Sequence, residues 1–419
     1  MPPELEALEC VDCGKEAALT HRTKCPRCGG ILDARYRGDS EEWRQSFLTA
    51  RASAERSMWR WRQLLPTAIG DSPVTLGEGG TPLVRSERPT EWGGVRDLWF
   101  KVENANPTGS FKDRPVSMAL TKAREWGVGG VVTASSGNAG AAVAAYAARA
   151  GLPAVVLVPD DLPTGKAAQI AMHGATLLSV TGHFSRAYDL ALAWAQRSGW
   201  YDVTSTLLSA YPTEANRTVA WELWSELGRV PDWILVPVSS GPLLVGIHKG
   251  FEELRQCGLI DRLPRMVAVQ AAGCAPIARA FDAGDVEVEA WGDPKTVASG
   301  IRDPLQGYAN DGTLTLRRVR ESRGAVIAVD DQAIMDAADA IAIKEGVAAE
   351  PTGAVAVAGA IRMIEQGEIA PDASVVCMVT GHGLKDLGAY LGRRNEAISI
   401  APDLNEMIEA IEGIVTKGS

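Results

Sequence analysis

One lysine stands out because of the residues that surround it. Lys112 lies in the run Asn-Pro-Thr-Gly-Ser-Phe-Lys-Asp-Arg at residues 106–114, just after a Gly-Ser turn. The preceding segment, Asp97–Val102, has the aromatic and β-branched bias of a buried strand, and residues 116–126 are typical of a helix. A lysine at such a corner is usually a solvated residue of the helix start. A lysine whose pKa is lowered by its surroundings can instead act as a nucleophile and move protons.

A second polar segment follows the next strand-like run of the chain. Residues 135–140 read Ser-Ser-Gly-Asn-Ala-Gly, between the apolar run 131–133 and an Ala-rich helical segment at 141–150. Its hydroxyls, its side-chain amide and the N–H groups of the helix start would suit an anionic group. Small residues also cap helices that bind nothing. This loop therefore indicates a site only in combination with other motifs.

The first thirty residues contain two cysteine pairs that could hold a metal. Cys10 and Cys13 form one Cys-x2-Cys knuckle, and Cys25 and Cys28 form a second one. Four thiolates from two such knuckles form the closed tetrahedron of a structural zinc site. Two disulfides or unligated thiols are the alternative, which a reducing compartment disfavours. The other cysteines lie in apolar surroundings and are predicted to be core residues; they are Cys257, Cys274 and Cys377.

Several segments occur together in the order that is typical of one family. Over roughly residues 75–390 the chain resembles threonine synthase and its relatives among the fold-type II pyridoxal-phosphate enzymes. The most specific segments are Thr-Gly-Ser-Phe-Lys-Asp-Arg and Thr-Gly-His-Gly-Leu-Lys-Asp. The matching segments are residues 77–83, 106–114, 135–151, 172–175, 270–276, 345–351 and 379–386. Some threonine synthase relatives also carry an N-terminal cysteine array, so the zinc ribbon is consistent with this resemblance.

Strand-like runs alternate with helix-length segments from residue 77 onward, which indicates an α/β fold with buried parallel strands. The resemblance implies two domains with mostly parallel sheets flanked by helices. Further predicted strands are 154–158, 176–180, 233–238, 266–270, 325–328 and 374–379. The predicted divisions are a zinc-ribbon-like segment at 1–38, an arm and the first part of the large domain at 39–114, a small mobile domain at 115–212, and the rest of the large domain at 213–419.

The resemblance also implies a role for individual residues. Lys112 matches the lysine that forms the Schiff base with pyridoxal phosphate, and Asn138 matches the residue that binds the 3-oxygen of this cofactor. Thr380 matches the hydroxyl that faces the pyridine nitrogen, and a neutral group there favours elimination and replacement over transamination. The family loop that binds the substrate carboxylate corresponds to Ser135, Ser136, Gly137, Asn138 and Ala139.

The segment expected to bind the cofactor phosphate departs from the family. Where relatives have a loop similar to Gly-Asn-Gly-Gly, this chain has Ser-Ser-Gly-Pro-Leu-Leu at residues 239–244. Pro242 has no N–H to donate, whereas the two serines add hydroxyls. We expect cofactor binding to be kept in an altered geometry. The predicted phosphate-binding residues are Ser239, Ser240, Gly241 and Leu243.

A second departure concerns the substrate. Threonine synthases commonly have an arginine in the segment after the small domain, where it is a natural partner for the phosphate of O-phosphohomoserine. In this chain Pro212 occupies that place. Arg217 and Lys166 remain as predicted substrate-binding cations. The usual substrate is therefore open to question.

Length and composition favour a cytoplasmic enzyme. The 419 residues are 46% hydrophobic, which suits sizeable globular cores. Apolar runs stay short of the roughly 20 residues that span a membrane, and the start, Met-Pro-Pro-Glu, does not resemble a signal peptide. A net charge of −10 disfavours nucleic acid or an anionic membrane as partner. By resemblance, the partners are a small amino-acid substrate and a second copy of the chain in a homodimer.

Three functions are compatible with these residues. The first is a threonine synthase-like carbon–oxygen lyase that converts O-phosphohomoserine and water to threonine and phosphate. The second is a related β-replacement or β-elimination enzyme, similar to cysteate synthase or to threonine/serine dehydratase, which the altered segments 209–218 and 239–244 motivate. The third is a regulatory or zinc-mediated interaction protein on a decayed enzyme scaffold, which the retained Lys112, Asn138 and Thr380 disfavour.

Overall fold

The structure is a computed structural model that describes residues 4–21, 24–67, 72–135, 137–182, 184–390 and 399–415. It consists of two units, Met1–Asp386 and Leu387–Ser419. The second unit contains a 3-10 helix at Leu387–Ala389 and a helix at Leu404–Val415. The sheets and the candidate site described below all belong to the first unit.

The first unit begins with a small antiparallel sheet that carries the four N-terminal cysteines. Its strand order is β2-β1-β3, and the strands are β1 Glu4–Cys10, β2 Glu16–Ala17 and β3 Leu32–Arg37. The Sγ atoms of Cys10 and Cys28 are 3.5 Å apart, those of Cys13 and Cys25 3.7 Å, and those of Cys13 and Cys28 3.4 Å. A zinc tetrahedron with Zn–S bonds of about 2.3 Å has edges of about 3.8 Å. The arrangement of the four thiols is therefore compatible with a structural zinc ion.

The largest sheet has six strands in the order β12-β11-β10-β13-β5-β4. Neighbouring strands pair in parallel, except that β4 at the edge pairs antiparallel with β5. The strands are β4 Leu83–Arg85, β5 Asp97–Val102, β10 Trp233–Pro237, β11 Arg265–Ala271, β12 Ala325–Val329 and β13 Ser374–Val379. The central strand β13 pairs along its whole length with β5, residue 374 opposite 97 through residue 379 opposite 102.

A second sheet of four parallel strands lies within residues 131–202, in the order β8-β7-β6-β9. Its strands are β6 Val131–Ala134, β7 Ala154–Pro159, β8 Thr176–Val180 and β9 Tyr201–Asp202. In both sheets short Val-, Ile- and Leu-rich runs form the strands, as is usual when both faces of a sheet are covered by helices. The predicted α/β class and the predicted strands are confirmed.

The chain has α-helices before, between and after the parallel strands. They are α1 Ser40–Arg51, α2 Asp113–Glu125, α3 Asn138–Ala150, α4 Thr164–Met172, α5 Phe184–Ser198, α6 Ala210–Leu227, α7 Pro242–Gln256, α8 Pro276–Ala283, α9 Asn310–Glu321, α10 Asp331–Glu345, α11 Pro351–Glu365 and α12 Leu404–Val415. A 3-10 helix at Met58–Leu64 buries Trp59, Trp61 and Leu64. Among the described residues, none of the helices has the length and apolar character needed to cross a membrane.

A buried ion-pair network joins the N-terminal sheet to α6. Arg217 in α6 is fully buried and forms ion pairs with Glu214 and Glu253. Its guanidinium also donates to the Tyr36 hydroxyl of β3, at 2.7 Å, and to the Leu64 carbonyl, at 2.8 Å. Removing one partner from such a network leaves buried charge without compensation.

We therefore expect Arg217→Ala to lower the free energy of unfolding by about 3–5 kcal/mol, because, among the described ion pairs, the buried Glu253 loses its partner and Glu214 keeps only Lys249. Urea unfolding of the cofactor-saturated protein measures this change. Arg262→Ala is a matched control, because Arg262 forms an exposed ion pair with Asp232, and such pairs contribute about 0–1 kcal/mol. Equal effects of the two substitutions would contradict a stabilising role for the Arg217 network.

Candidate active site

A cavity opens between the two parallel sheets, at the carboxyl ends of their strands. It encloses about 800 Å³ of empty space, part of which is open to solvent. Among the residues predicted from the sequence, those that line the cavity are Lys112, Ser135, Asn138, Ala139, Ser239, Gly241, Leu243 and Thr380. The structure thus brings together predicted residues from four separate segments of the chain.

Lys112 lies at the junction of β5, α2 and the segment after β13. The Phe111 N–H donates to the Thr380 carbonyl at 3.0 Å, and the His382 N–H donates to the Gly109 carbonyl at 2.9 Å. Gly109 has a φ of +83°, which favours glycine at this turn. These hydrogen bonds place Lys112 beside Thr380 at one end of the β5–β13 pair.

The residues after Lys112 are held by buried polar contacts. Asp113 accepts hydrogen bonds from the backbone N–H and the hydroxyl of Thr108, at 3.2 Å and 2.9 Å. Arg114 is fully buried and forms ion pairs of 2.6 Å with Glu103 and with Glu222. These contacts fix the turn on which the lysine is presented, since Thr108, Asp113 and Arg114 each have a buried partner.

The Lys112 amine points at polar groups that the sequence did not reveal. Its Nζ donates to the Ser205 hydroxyl at 2.6 Å and lies 4.5 Å from the centre of the Phe111 ring. Burial lowers the pKa of Lys112 to about 8, against the opposing charge of the Asp303 carboxylate. A larger fraction of this amine is neutral near pH 8 than of an exposed lysine, so it is suited to nucleophilic attack and proton transfer.

The predicted carboxylate-binding loop precedes α3. Ser135 Oγ accepts hydrogen bonds from the N–H groups of Gly137, at 2.9 Å, and Gly140, at 2.7 Å. These bonds cap the helix, which begins at Asn138 and hence three residues before its predicted start. The predicted residue Ser136 lies outside the described residues.

Asn138 faces the cavity and has a hydrogen-bond acceptor that none of the described residues uses. Its Nδ2 donates to a carboxylate oxygen of the buried Glu350, and its Oδ1 is buried without a hydrogen-bond partner among the described residues. Glu350 also forms an ion pair of 2.9 Å with Lys166. The sequence match had identified residues 345–351 only as a family segment, and the structure shows that Glu350 orients Asn138.

The start of α7 supplies the predicted anion site. Gly241 has a φ of +102°, and a Cβ at this position would lie 2.1 Å from the Thr315 hydroxyl, so glycine is required. Pro242 occupies the first helical position, where the missing N–H removes no helical hydrogen bond. The Ser239 residue lines the cavity, whereas Ser240 is buried beside it with its hydroxyl unpartnered in the described part of the chain. A helix start of this kind favours a phosphate group.

The two predicted substrate-binding cations lie outside the cavity lining. Lys166 is fully buried and contacts Glu350 and the Ser299 hydroxyl. Arg217 belongs to the network that joins α6 to the N-terminal sheet. Sequence reasoning could not place these side chains, because most of their partners are distant in the chain. Missed lining residues include Phe184, Ser205, Thr206, Arg302, Asp303 and Thr352.

This fold and this cavity define an α/β enzyme in which a lysine and the start of a helix line the same cavity. Residues 74–381 match the family described as "Pyridoxal-phosphate dependent enzyme", and the chain belongs to this family. The predicted family and the predicted cofactor, pyridoxal phosphate, are confirmed. The chain is an enzyme of the threonine synthase-like type.

Relatives and solved structures agree with this assignment. The chain is 37% identical to the threonine synthase of Methanosarcina acetivorans, over 97% of this chain and 98% of the relative, and 36% identical to that of Methanocaldococcus jannaschii, over 94% and 97%. It is 39% identical to the threonine synthase of Mycobacterium tuberculosis over 78% and 87%. Maize serine racemase has a similar structure, with a TM-score of 0.63, 25% identity and coverage of 81% and 93%.

The lowered pKa of Lys112 predicts how cofactor attachment depends on pH. In cofactor-free enzyme, the rate of attachment should rise with pH and be half-maximal near pH 8, because only the neutral amine attacks an aldehyde. The visible absorbance that develops after addition of pyridoxal phosphate measures this rate at each pH. A midpoint near 10.5, the ordinary value for lysine, would contradict the burial of this amine.

Proposed function

We propose that this enzyme converts O-phosphohomoserine and water to threonine and phosphate. The observation that carries the proposal is the similarity to threonine synthases along nearly the whole chain, 97% of it in one case. The cavity supports it, because a lysine, a helix start and an unpartnered hydroxyl converge there.

The residues present fit pyridoxal phosphate. Lys112 would bind the cofactor aldehyde, and the start of α7 with Ser239, Gly241 and Leu243 would hold its phosphate. Two buried atoms, Asn138 Oδ1 and Thr380 Oγ1, have no hydrogen-bond partner among the described residues. The Asn138 side-chain amide would lie at the 3-oxygen region of the cofactor, and the Thr380 hydroxyl would face its ring nitrogen. A buried polar atom without a partner is costly, so a ligand that satisfies both atoms would be stabilised here.

Proton transfer is assigned to Lys112. When bound, pyridoxal phosphate supplies an electron sink for charge that develops at the substrate α-carbon. Lys112, once free of the cofactor, takes the α-proton and returns a proton later in the reaction. Ser205 orients the amine by accepting its hydrogen bond, and Asp303 favours the protonated form. The loop around Ser135 binds the substrate carboxylate through helix-start N–H groups.

We further propose that the four N-terminal cysteines bind a structural zinc ion and that residues 115–212 form a small mobile domain. We also propose that the protein is a homodimer in the cytoplasm. The sulfur separations of 3.4–3.7 Å support the zinc assignment, and purified protein without bound zinc would refute it. The four-stranded sheet within residues 131–202 supports a separate small domain. Relatives of this type are often dimers, and size measurement in solution tests that state.

A second candidate is β-elimination or β-replacement on a different amino acid. Two observations favour it. Pro212 stands in the buried first turn of α6 where an arginine was expected, and the cavity contains a carboxylate, Asp303, that would repel a phosphate group when ionised. The products distinguish the two candidates.

The proposed reaction predicts stoichiometric phosphate and threonine from O-phosphohomoserine. Lys112→Ala should lower the rate by at least about 1,000-fold, since it removes both the site of cofactor attachment and the proton carrier. Phosphate release and amino-acid analysis measure the products. Keto acid formed from threonine or serine, or sulfonate formed from phosphoserine and sulfite, without phosphate release from phosphohomoserine, would replace this function by the second candidate.

A further inference from the structure

One cation of the cavity has no role in the chemistry described above. Among the described residues, Arg302 and Lys112 are the lysine and arginine side chains that line the cavity. The Lys112 amine donates a hydrogen bond to the Ser205 hydroxyl and interacts electrostatically with the Asp303 carboxylate. Arg302 retains an exposed fraction of 31% of its side chain. Part of this side chain is therefore accessible to a solute.

Arg302 is held by a partner that can be exchanged. Its Nη2 donates to a carboxylate oxygen of Asp161, which lies in the loop after β7 of the small sheet. The Asp161 side chain is 55% exposed. Ion pairs of this kind contribute about 0–1 kcal/mol, whereas hydrogen bonds between arginine and a phosphate are charge-assisted and commonly bidentate. A phosphate that enters the cavity can displace the aspartate.

The backbone presents Arg302 on a fixed loop. The neighbouring Gly300 N–H donates to the Thr352 hydroxyl at 2.9 Å. On the other side, Asp303 Oδ1 accepts from the Tyr308 hydroxyl, at 2.5 Å, and from the N–H of Leu305, at 3.1 Å. Leu305 has a φ of +58°, a strained conformation for a leucine, and such strain is held in place only by surrounding contacts.

The predicted cations are unsuited to the substrate phosphate. Lys166 is paired with Glu350, and Arg217 is paired with Glu214 and Glu253. Both are fully buried, and neither lines the cavity. Pro212 cannot replace the expected arginine. In the described part of the cavity lining, Arg302 is thus the charged donor besides Lys112 that could bind an anion.

We propose that Arg302 binds the phosphate of the substrate and determines the preference for a phosphorylated leaving group, while Asp161 holds this arginine when substrate is absent. The proposal rests on the proposed function and adds a specificity residue to it. The same guanidinium would bind released inorganic phosphate, so inorganic phosphate is a direct probe of the site.

The test compares cofactor-loaded wild type with Arg302→Ala, Asp161→Asn and the surface control Arg262→Ala. Arg302→Ala should lower kcat/KM for O-phosphohomoserine about 10–100-fold, as expected for lost charge-assisted bonds. It should also weaken the binding of inorganic phosphate, measured by calorimetry, while the visible absorbance of the bound cofactor stays unchanged. Asp161→Asn removes the competing carboxylate, so it should keep kcat/KM and strengthen phosphate binding. Arg262→Ala should match wild type.

Two results would overturn the proposal, and a third separates it from the proposed function. Equal losses of kcat/KM in Asp161→Asn and Arg302→Ala would show that the ion pair is only a structural tether between the loops. Wild-type kcat/KM and phosphate binding in Arg302→Ala would leave the threonine synthase activity standing and remove Arg302 from it. A wild type that releases no phosphate from phosphohomoserine refutes the proposed function instead, and unchanged phosphate binding in Arg302→Ala would then refute the anion site as well.

Discussion

The parallel pairing of β5 with β13 is the constraint on which the site depends. It places the carboxyl ends of two strands side by side, although they lie at opposite ends of the first unit. The hydrogen bond from the Phe111 N–H to the Thr380 carbonyl continues this pairing beyond the strands. Ligand sites of α/β proteins lie at this edge because loops and helix starts converge there. Lys112 and Thr380 therefore meet without any direct contact between their side chains being required.

Buried charge fixes the residues around this junction. Arg114 has carboxylate partners in Glu103 and Glu222, and Glu350 joins Asn138 to Lys166. A buried charge is tolerated only when it is paired and hydrogen-bonded. In these networks, most of the cationic side chains near the site are already paired with carboxylates. A small set of cavity groups is left to bind a ligand. The choice of substrate therefore depends on the charges of these groups rather than on the fold.

Local sequence patterns were sufficient for the strands, and they predict Lys112 as the cofactor lysine. Apolar runs such as 374–379 are interpreted as buried strands when helix-length segments separate them. The residues around Lys112 form a compact motif. The patterns failed for Lys166 and Arg217. Their positive charge suggested a substrate, but their partners, among them Glu350, Tyr36 and Glu253, are set by tertiary packing.

Arg302 and Ser205 illustrate the opposite case, because neither lies in a motif that signals a function. Each reaches the cavity through a loop whose path depends on distant contacts, such as the bond between the Gly300 N–H and Thr352. Sequence-based inference is therefore strongest where the reactive residue and the turn that positions it lie in one segment of the chain. It is weakest for the side chains that complete the site from elsewhere.

The most direct test of the central claim is to identify the lysine that carries the cofactor. Borohydride reduction of the holoenzyme fixes the cofactor on its lysine, and mass spectrometry of the peptides then locates it. We expect the label on Lys112. Lys385 is a stringent internal comparison, because burial also lowers its pKa to about 8, yet it donates to the Thr108 carbonyl outside the cavity lining. Label on Lys385 or Lys166, with Lys112 unmodified, would contradict the account.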